Sequence, residues 1–247
     1  MSCYNQTIDE IEKMGEMALI PVGSLEQHGH HLPINTDVVI TQAYGDMLGE
    51  RLGAFVLPCL PISTNREHMG KKGSVWMKPD TFYTMLGDII MSLSEQGFKK
   101  IVVVQGHGGV FVIPPLIRQL NATLNPEVQV CKLELFNFFE AYRKEGILES
   151  PHIMHADELE TSVMLHLVPQ YVHMEKAVDF VPKEPREYLN YASLLSLCPD
   201  GVWGEPSSAT AEKGKRILEL GTKLGEAYVK EVFDLIKNKR PYGYSRF

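Results

Sequence analysis

Five side chains able to bind a metal fall within twelve positions: Glu26, His28, His30, His31 and Asp37. They follow directly on an apolar run, Ala18 to Val22. Carboxylate and imidazole donors suit zinc, manganese or iron, and a catalytic metal sits well at the end of a buried strand. Glu26 and His28 are two positions apart, so extended backbone points both to one side. Asp37 is near enough in sequence to fold back, and a short carboxylate can bridge two metals. Gly23, Gly29 and Pro33 permit the tight loop this requires.

A second cluster, Gln105-Gly106-His107-Gly108-Gly109, follows an apolar run that ends at Val104. Glycines around His107 let the backbone approach a metal or substrate closely, which makes Gly108 a candidate substrate contact. Alone, such a run is equally a structural glycine turn. Paired with the Glu26 loop it points to one shared metal site. A third cluster runs from His155 to Ser162. Asp157 and Glu158 read as first-turn acids that favour a helix dipole. Glu160 precedes Val163, Met164 and Leu165, so its helix is partly buried, and a carboxylate entering a core needs a partner or a metal. His155, just before that helix, is placed to act as acid or base. Arg66-Glu67-His68 and Lys71 to Ser74 read as a solvated polar loop, or as a pocket wall with Ser74 touching substrate. His30 and His31 are expected behind the ligands or in solvent. Trp76, Trp203 and Phe136 to Phe139 are expected to pack, with Trp203 open to a pocket or a subunit contact.

The elements that must position these groups alternate. Met17–Val22, Ala54–Leu60, Lys100–Val104 and Val128–Leu135 read as strands. Thr36–Leu52, Asp80–Gln96 with an Asp80-Thr81 cap, Pro114–Leu124, Glu158–Leu167 and Ala209–Lys237 read as helices. This order predicts an α/β fold with a mostly parallel sheet and helices on both faces. Sites in such folds lie at the carboxyl ends of strands, where both motif loops fall.

A chain of 247 residues with no linker suits one domain, 1–247. The net charge of −7, without a basic stripe, argues against nucleic acid and anionic membranes as partners. No apolar run approaches the ~20 residues of a membrane helix, and the polar start is no signal peptide. Cys3, Cys59, Cys131 and Cys198 form no CxxC pair and read as reduced, buried thiols of a cytoplasmic protein.

The stretch PVGSLEQHGHHLPINTD resembles the signature of the creatininase (creatinine amidohydrolase) family. REH at Arg66, GHGG at Gly106, HADELETS at His155 and GVWGEPSSATAEKG at Gly201 match in the same order over nearly the whole chain. The resemblance implies a three-layer α-β-α sandwich, a centre of two divalent metals (zinc first, manganese or iron next), and hydrolysis of a C–N bond in a small cyclic amide or formamide. It also implies a small-molecule substrate and a homo-oligomer, a hexamer in characterised members. By resemblance, Glu26 and His107 hold one metal, His28 the other, Asp37 bridges, His155 moves protons and Ser74 touches substrate. The chain departs from true creatininases at Gly109, where they carry a metal-binding glutamate. Glu160 is the expected replacement, with Glu158 or water as the alternatives. Pro151 and His152 stand where the family holds creatinine with tryptophan and aspartate, which points away from creatinine itself. Related enzymes suggest two other hydrolytic readings, a C–C bond in a cyclic keto-sugar of inosose type or a short peptide. A non-catalytic metal-binding assembly protein is the reading outside enzymes.

Overall fold

The computed structural model describes residues 6–238. Strands β1 (Met17–Val22), β2 (Phe55–Val56), β3 (Lys100–Gln105) and β4 (Gln129–Glu134) form an all-parallel sheet in the order β2-β1-β3-β4. The helices are α1 (Ile8–Ile11), α2 (Thr36–Leu52), α3 (Pro79–Glu95), α4 (Ile113–Thr123), α5 (Phe139–Lys144), α6 (Glu158–Leu167), α7 (Leu194–Leu197) and α8 (Ala211–Asn238). Two short strands, β5 (Ile153–His155) and β6 (Trp203–Gly204), pair antiparallel beside the sheet.

Strand residues alternate between faces, and two separate cores result. Ala18, Ile20, Val22, Ile101 and Val103 pack with Phe82, Leu86 and Ile90 of α3 and with Ile113, Leu116 and Leu120 of α4. Leu19, Val102, Val104, Cys131 and Leu133 pack with α2, α6 and α8 through Ile40, Leu48, Val163, Ile217 and Val229. Burial on both faces explains the unbroken apolar runs of β1 and β3. Helix, sheet and helix therefore form the three expected layers.

The differences from expectation have local causes. The strand expected over Ala54–Leu60 shrinks to Phe55–Val56, with one parallel bridge at Val22↔Leu60. Pro21 and Pro58 each lack the N–H a ladder needs on that edge. Leu60 N–H still donates to the Pro21 carbonyl at 2.9 Å. Helix α3 starts one residue early because Pro79 occupies its first position, where a missing N–H costs nothing. Lys78, not Asp80, is therefore the cap residue. The pair β5 and β6 is too short to carry a periodic signal. Cys59, Cys131 and Cys198 are buried and unpaired, as expected, while Cys3 lies outside the described residues.

Candidate metal centre

Three loops at the carboxyl edge of the sheet meet the start of α6. The loop after β1 is fixed by Asn65 Nδ2, which donates to Ser24 Oγ at 2.6 Å and to the Leu25 carbonyl at 2.9 Å. Ser63 Oγ donates to the Gly23 carbonyl at 2.8 Å. Helix α2 begins at Thr36, so Asp37 lies in its first turn, where the dipole favours an anion. Its two oxygens diverge. Oδ1 lies 3.1 Å from His28 Nε2, and Oδ2 lies 3.3 Å from His107 Nδ1. Glu26 is shared in the same way, with Oε2 3.2 Å from His107 Nδ1 and Oε1 3.2 Å from His68 Nε2. Glu160 Oε2 lies 3.6 Å from His28 Nε2 and accepts the Ala156 N–H at 2.7 Å. That N–H is aimed by Ala156, whose φ of 50° is left-handed although it is not glycine. Such a conformation costs about 1–2 kcal/mol and persists where surrounding packing imposes it. Helix α6 is held from behind by α8, where a side chain at Gly214 would strike the Ser162 carbonyl.

Three donor groups result: Glu26, His28 and His155; Glu26, His68 and His107; His28, Asp37 and Glu160. Every member is buried. Both oxygens of Glu26 and Oδ2 of Asp37 make no hydrogen bond although water cannot reach them. Buried carboxylate oxygens left without partners are costly, and divalent cations would satisfy them with the neighbouring imidazoles.

The charges tell the same story. Burial raises the Glu26 and Glu160 carboxyls above the ordinary carboxylate range. Burial opposes a charge on His28, but Asp37, Glu160 and Glu26 outweigh it and lift the imidazole to about 10. His107 is lifted in the same sense, with Glu26 the strongest pull against its burial. Burial would raise Asp37, yet His28 and His107 hold it well below the usual carboxylate value. Burial and neighbouring imidazoles push His68 and His155 well below theirs. Without metal, the clustered carboxylates thus favour the protonated forms of His28 and His107.

Residues 3–227 match the sequence profile of the Creatininase family, described as creatinine amidohydrolase. The 3-dehydro-scyllo-inosose hydrolase of Thermotoga maritima is 29% identical, over 92% of this chain and 81% of its own. The creatinine amidohydrolase of Pseudomonas putida is 27% identical, over 82% of this chain and 84% of its own. A solved mutant creatininase of Zn-Zn type is 26% identical with a TM-score of 0.77, covering 97% of this chain and 98% of that one. The chain belongs to the creatininase family. It is a metal-dependent hydrolase of that family, and its creatininase fold carries His, Glu and Asp groups able to bind metal ions.

Within this creatininase-family centre the structure brings together Glu26, His28, Asp37, His107, His155 and Glu160. It also brings in His68, from the Arg66–His68 segment that read as a solvated loop or a pocket wall; the structure bears out the wall. His68 is buried in a 3-10 turn. Its only signal in the sequence was the match of REH to the family order. Glu158, the alternative to Glu160, is placed elsewhere. It accepts from the Glu149 and Ser150 N–H groups and from Lys213 Nζ at 2.6 Å. Asp157 proves to be the cap of α6, accepting from Leu159 and Glu160 N–H. Ser74 does not line the cavity, and its hydroxyl accepts from the Gln27 N–H at 3.1 Å. Gly108 does line it. His30 is exposed beside Asp200, and His31 is buried against Thr161 Oγ1 at 3.0 Å. Trp203 packs with Leu194 and Cys198, while Trp76 stays partly exposed under the Arg66 guanidinium.

Glu26, Asp37, His68, His107, His155 and Glu160 line a cavity of about 230 Å³, and His28 is not on its lining. Phe111, Phe136, Ile153, Met154, Leu189 and Leu194 form its apolar walls, with Arg186 and Glu134 also on the lining. None of these eight came from motif reading as a cavity residue, because they lie on segments far apart in sequence. No helix among the described residues is long and apolar enough to cross a membrane.

Proposed function

We propose that the protein hydrolyses a C–N bond of a small cyclic amide or formamide at a two-metal centre. Glu26, His28, Asp37, His107 and Glu160 are the ligands, and His68 joins them on the Glu26 side. The observation that carries this is the set of buried carboxylate oxygens without hydrogen bonds, flanked by imidazoles on two sides of Asp37. Asp37, with one oxygen toward His28 and the other toward His107, would help to hold both ions. When bound, two divalent ions supply an acidified water and a polarised carbonyl.

The chain's own groups supply the rest. His155 Nε2 donates to the Gln27 carbonyl at 2.7 Å, which leaves Nδ1 as the free acceptor, 3.7 Å from Glu26 Oε1. Its depressed pKa keeps the ring neutral at neutral pH. Nδ1 therefore takes the proton of the attacking water and returns it to the leaving nitrogen. Ser74 supports the Glu26–His28 loop through Gln27, and Gly108 lends backbone to the substrate side. The apolar walls exclude water and select a compact ring, and Pro151 and His152 favour a substrate other than creatinine.

A second reading is hydrolysis of a C–C bond in a cyclic keto-sugar, favoured by the inosose hydrolase that resembles this chain over most of its length. A single domain over 1–247, a cytoplasmic location and a homo-oligomer complete the proposal. The deciding experiment is metal content per subunit beside hydrolysis of an amide panel that includes creatinine. Two ions with amide turnover support the leading reading. Two ions with turnover of inososes alone support the second. One ion or none after adding zinc or manganese sinks both.

A further inference from the structure

We propose that Glu67 is the positioning carboxylate of His107, entering from a neighbouring loop into space that Gly109 leaves open. The inference rests on the metal-centre reading above. Glu67 Oε1 lies 3.4 Å from His107 Nε2, on the ring edge away from Glu26 and Asp37. The Thr64 carbonyl lies 3.1 Å from the same nitrogen. The Nε2 proton is thus shared between a carbonyl and a carboxylate, and Nδ1 is left as the lone-pair donor facing the centre. A carboxylate behind a ligand histidine fixes its tautomer and makes it a stronger donor.

Glu67 is held where it is. It lies on the 3-10 turn Arg66–His68, which also delivers His68 to Glu26. Asn65, just before the turn, is tied to Ser24 and Leu25, and Arg66 stacks 4.5 Å over Trp76. The Glu67 side chain is 14% exposed and lines the cavity. A Cβ at residue 109 would overlap Glu67 Oε1 and come within 2.5 Å of His107 Nε2. Glu67 in this position and any side chain at 109 are therefore mutually exclusive. Gly109 is the condition for Glu67 to reach His107.

The test uses the full chain stripped by a chelator and titrated with Zn²⁺ against a chromophoric competitor. Wild type is expected to show two sites. Glu67→Gln weakens one of them by about 10–100-fold and leaves the other unchanged, and Glu67→Asp recovers part of the loss. Gly109→Ala weakens the same site at least as much, because its methyl displaces Glu67 and also presses on His107 Nε2. The double variant Glu67→Gln/Gly109→Ala is no worse than Gly109→Ala alone, which has already removed the Glu67 contact. Wild-type affinity at both sites in folded Glu67→Gln overturns the proposal, as do additive losses in the double variant. Equal loss at both sites with a lowered Tm of the metal-free protein marks a folding defect and also overturns it. If Glu67→Gln does not fold, Glu67→Ala decides by the same criterion. A wild type that binds no Zn²⁺ removes this inference together with the metal-centre reading, whereas intact wild-type binding with unchanged variants removes only the inference.

Discussion

Glu158 and Glu160 stand two residues apart on α6, both buried, and their surroundings are opposite. Glu158 is satisfied by protein: two backbone N–H groups and the ammonium of Lys213. Glu160 accepts one N–H, from Ala156, and otherwise faces His28 and Asp37 in a cluster whose carboxylates lack donors. The first arrangement is complete without a ligand. In the second, imidazoles whose protons a metal can replace face the carboxylates. A buried acid thus marks function when its partners are acceptors or exchangeable protons, and structure when they are fixed donors.

The largest effect is expected at Asp37, which touches both halves of the centre. Asp37→Ala should abolish binding of both ions, read as metal content, and all turnover with it. His155→Ala should leave metal content intact and lower kcat by roughly 10²–10⁴-fold; metal loss equal to that of Asp37→Ala would remove His155 from its proton-carrying role. The two acids of α6 should then separate. Glu158→Ala leaves the Glu149 and Ser150 N–H groups without their acceptor, while Lys213 keeps Glu149 and the Ser208 carbonyl. It should cost about 1–3 kcal/mol of stability, measured by urea unfolding of the metal-free protein, with metal affinity retained in what remains folded. Glu160→Ala should do the reverse, losing affinity at the His28 site with little change in metal-free stability. Equal stability losses in the two variants would erase the contrast.

The smallest effect is the pH dependence. His28 is raised to about 10 and His107 in the same direction, so protons compete with metal at both. Metal binding displaces those protons, so affinity should rise with pH by about tenfold per unit for each ion whose histidine is protonated. In metal-free protein the sign reverses. A raised His28 pKa stabilises the fold fully below the unfolded value of about 6.5, and that contribution is lost as pH rises through about 10. Metal titrations at several pH values and unfolding of the apo protein check the two signs.

Much of the frame was legible from local pattern. β1, α2 and α6 lie at the bounds read from apolar runs and periodicity, because those signals act within a few residues. Glu26, His28, Asp37 and His107 stood out because their loops concentrate ligands beside glycine at strand ends. The capping role of Asp157, by contrast, depended on its taking extended φ and ψ, which makes it the residue before the helix and not an acid of its first turn. The alternation of strand and helix, the ligand-rich loops and the open position at Gly109 belong to the sequence alone, since each is a matter of residue type and short-range spacing. Tertiary structure decided that His68 is buried against Glu26, that Glu158 goes to Lys213 while Glu160 faces His28, and that Glu67 fills the space beside Gly109. Those partners lie tens of residues apart: the parallel sheet brings its strand ends to one edge, and the packing of α8 on α6 brings Lys213 to Glu158.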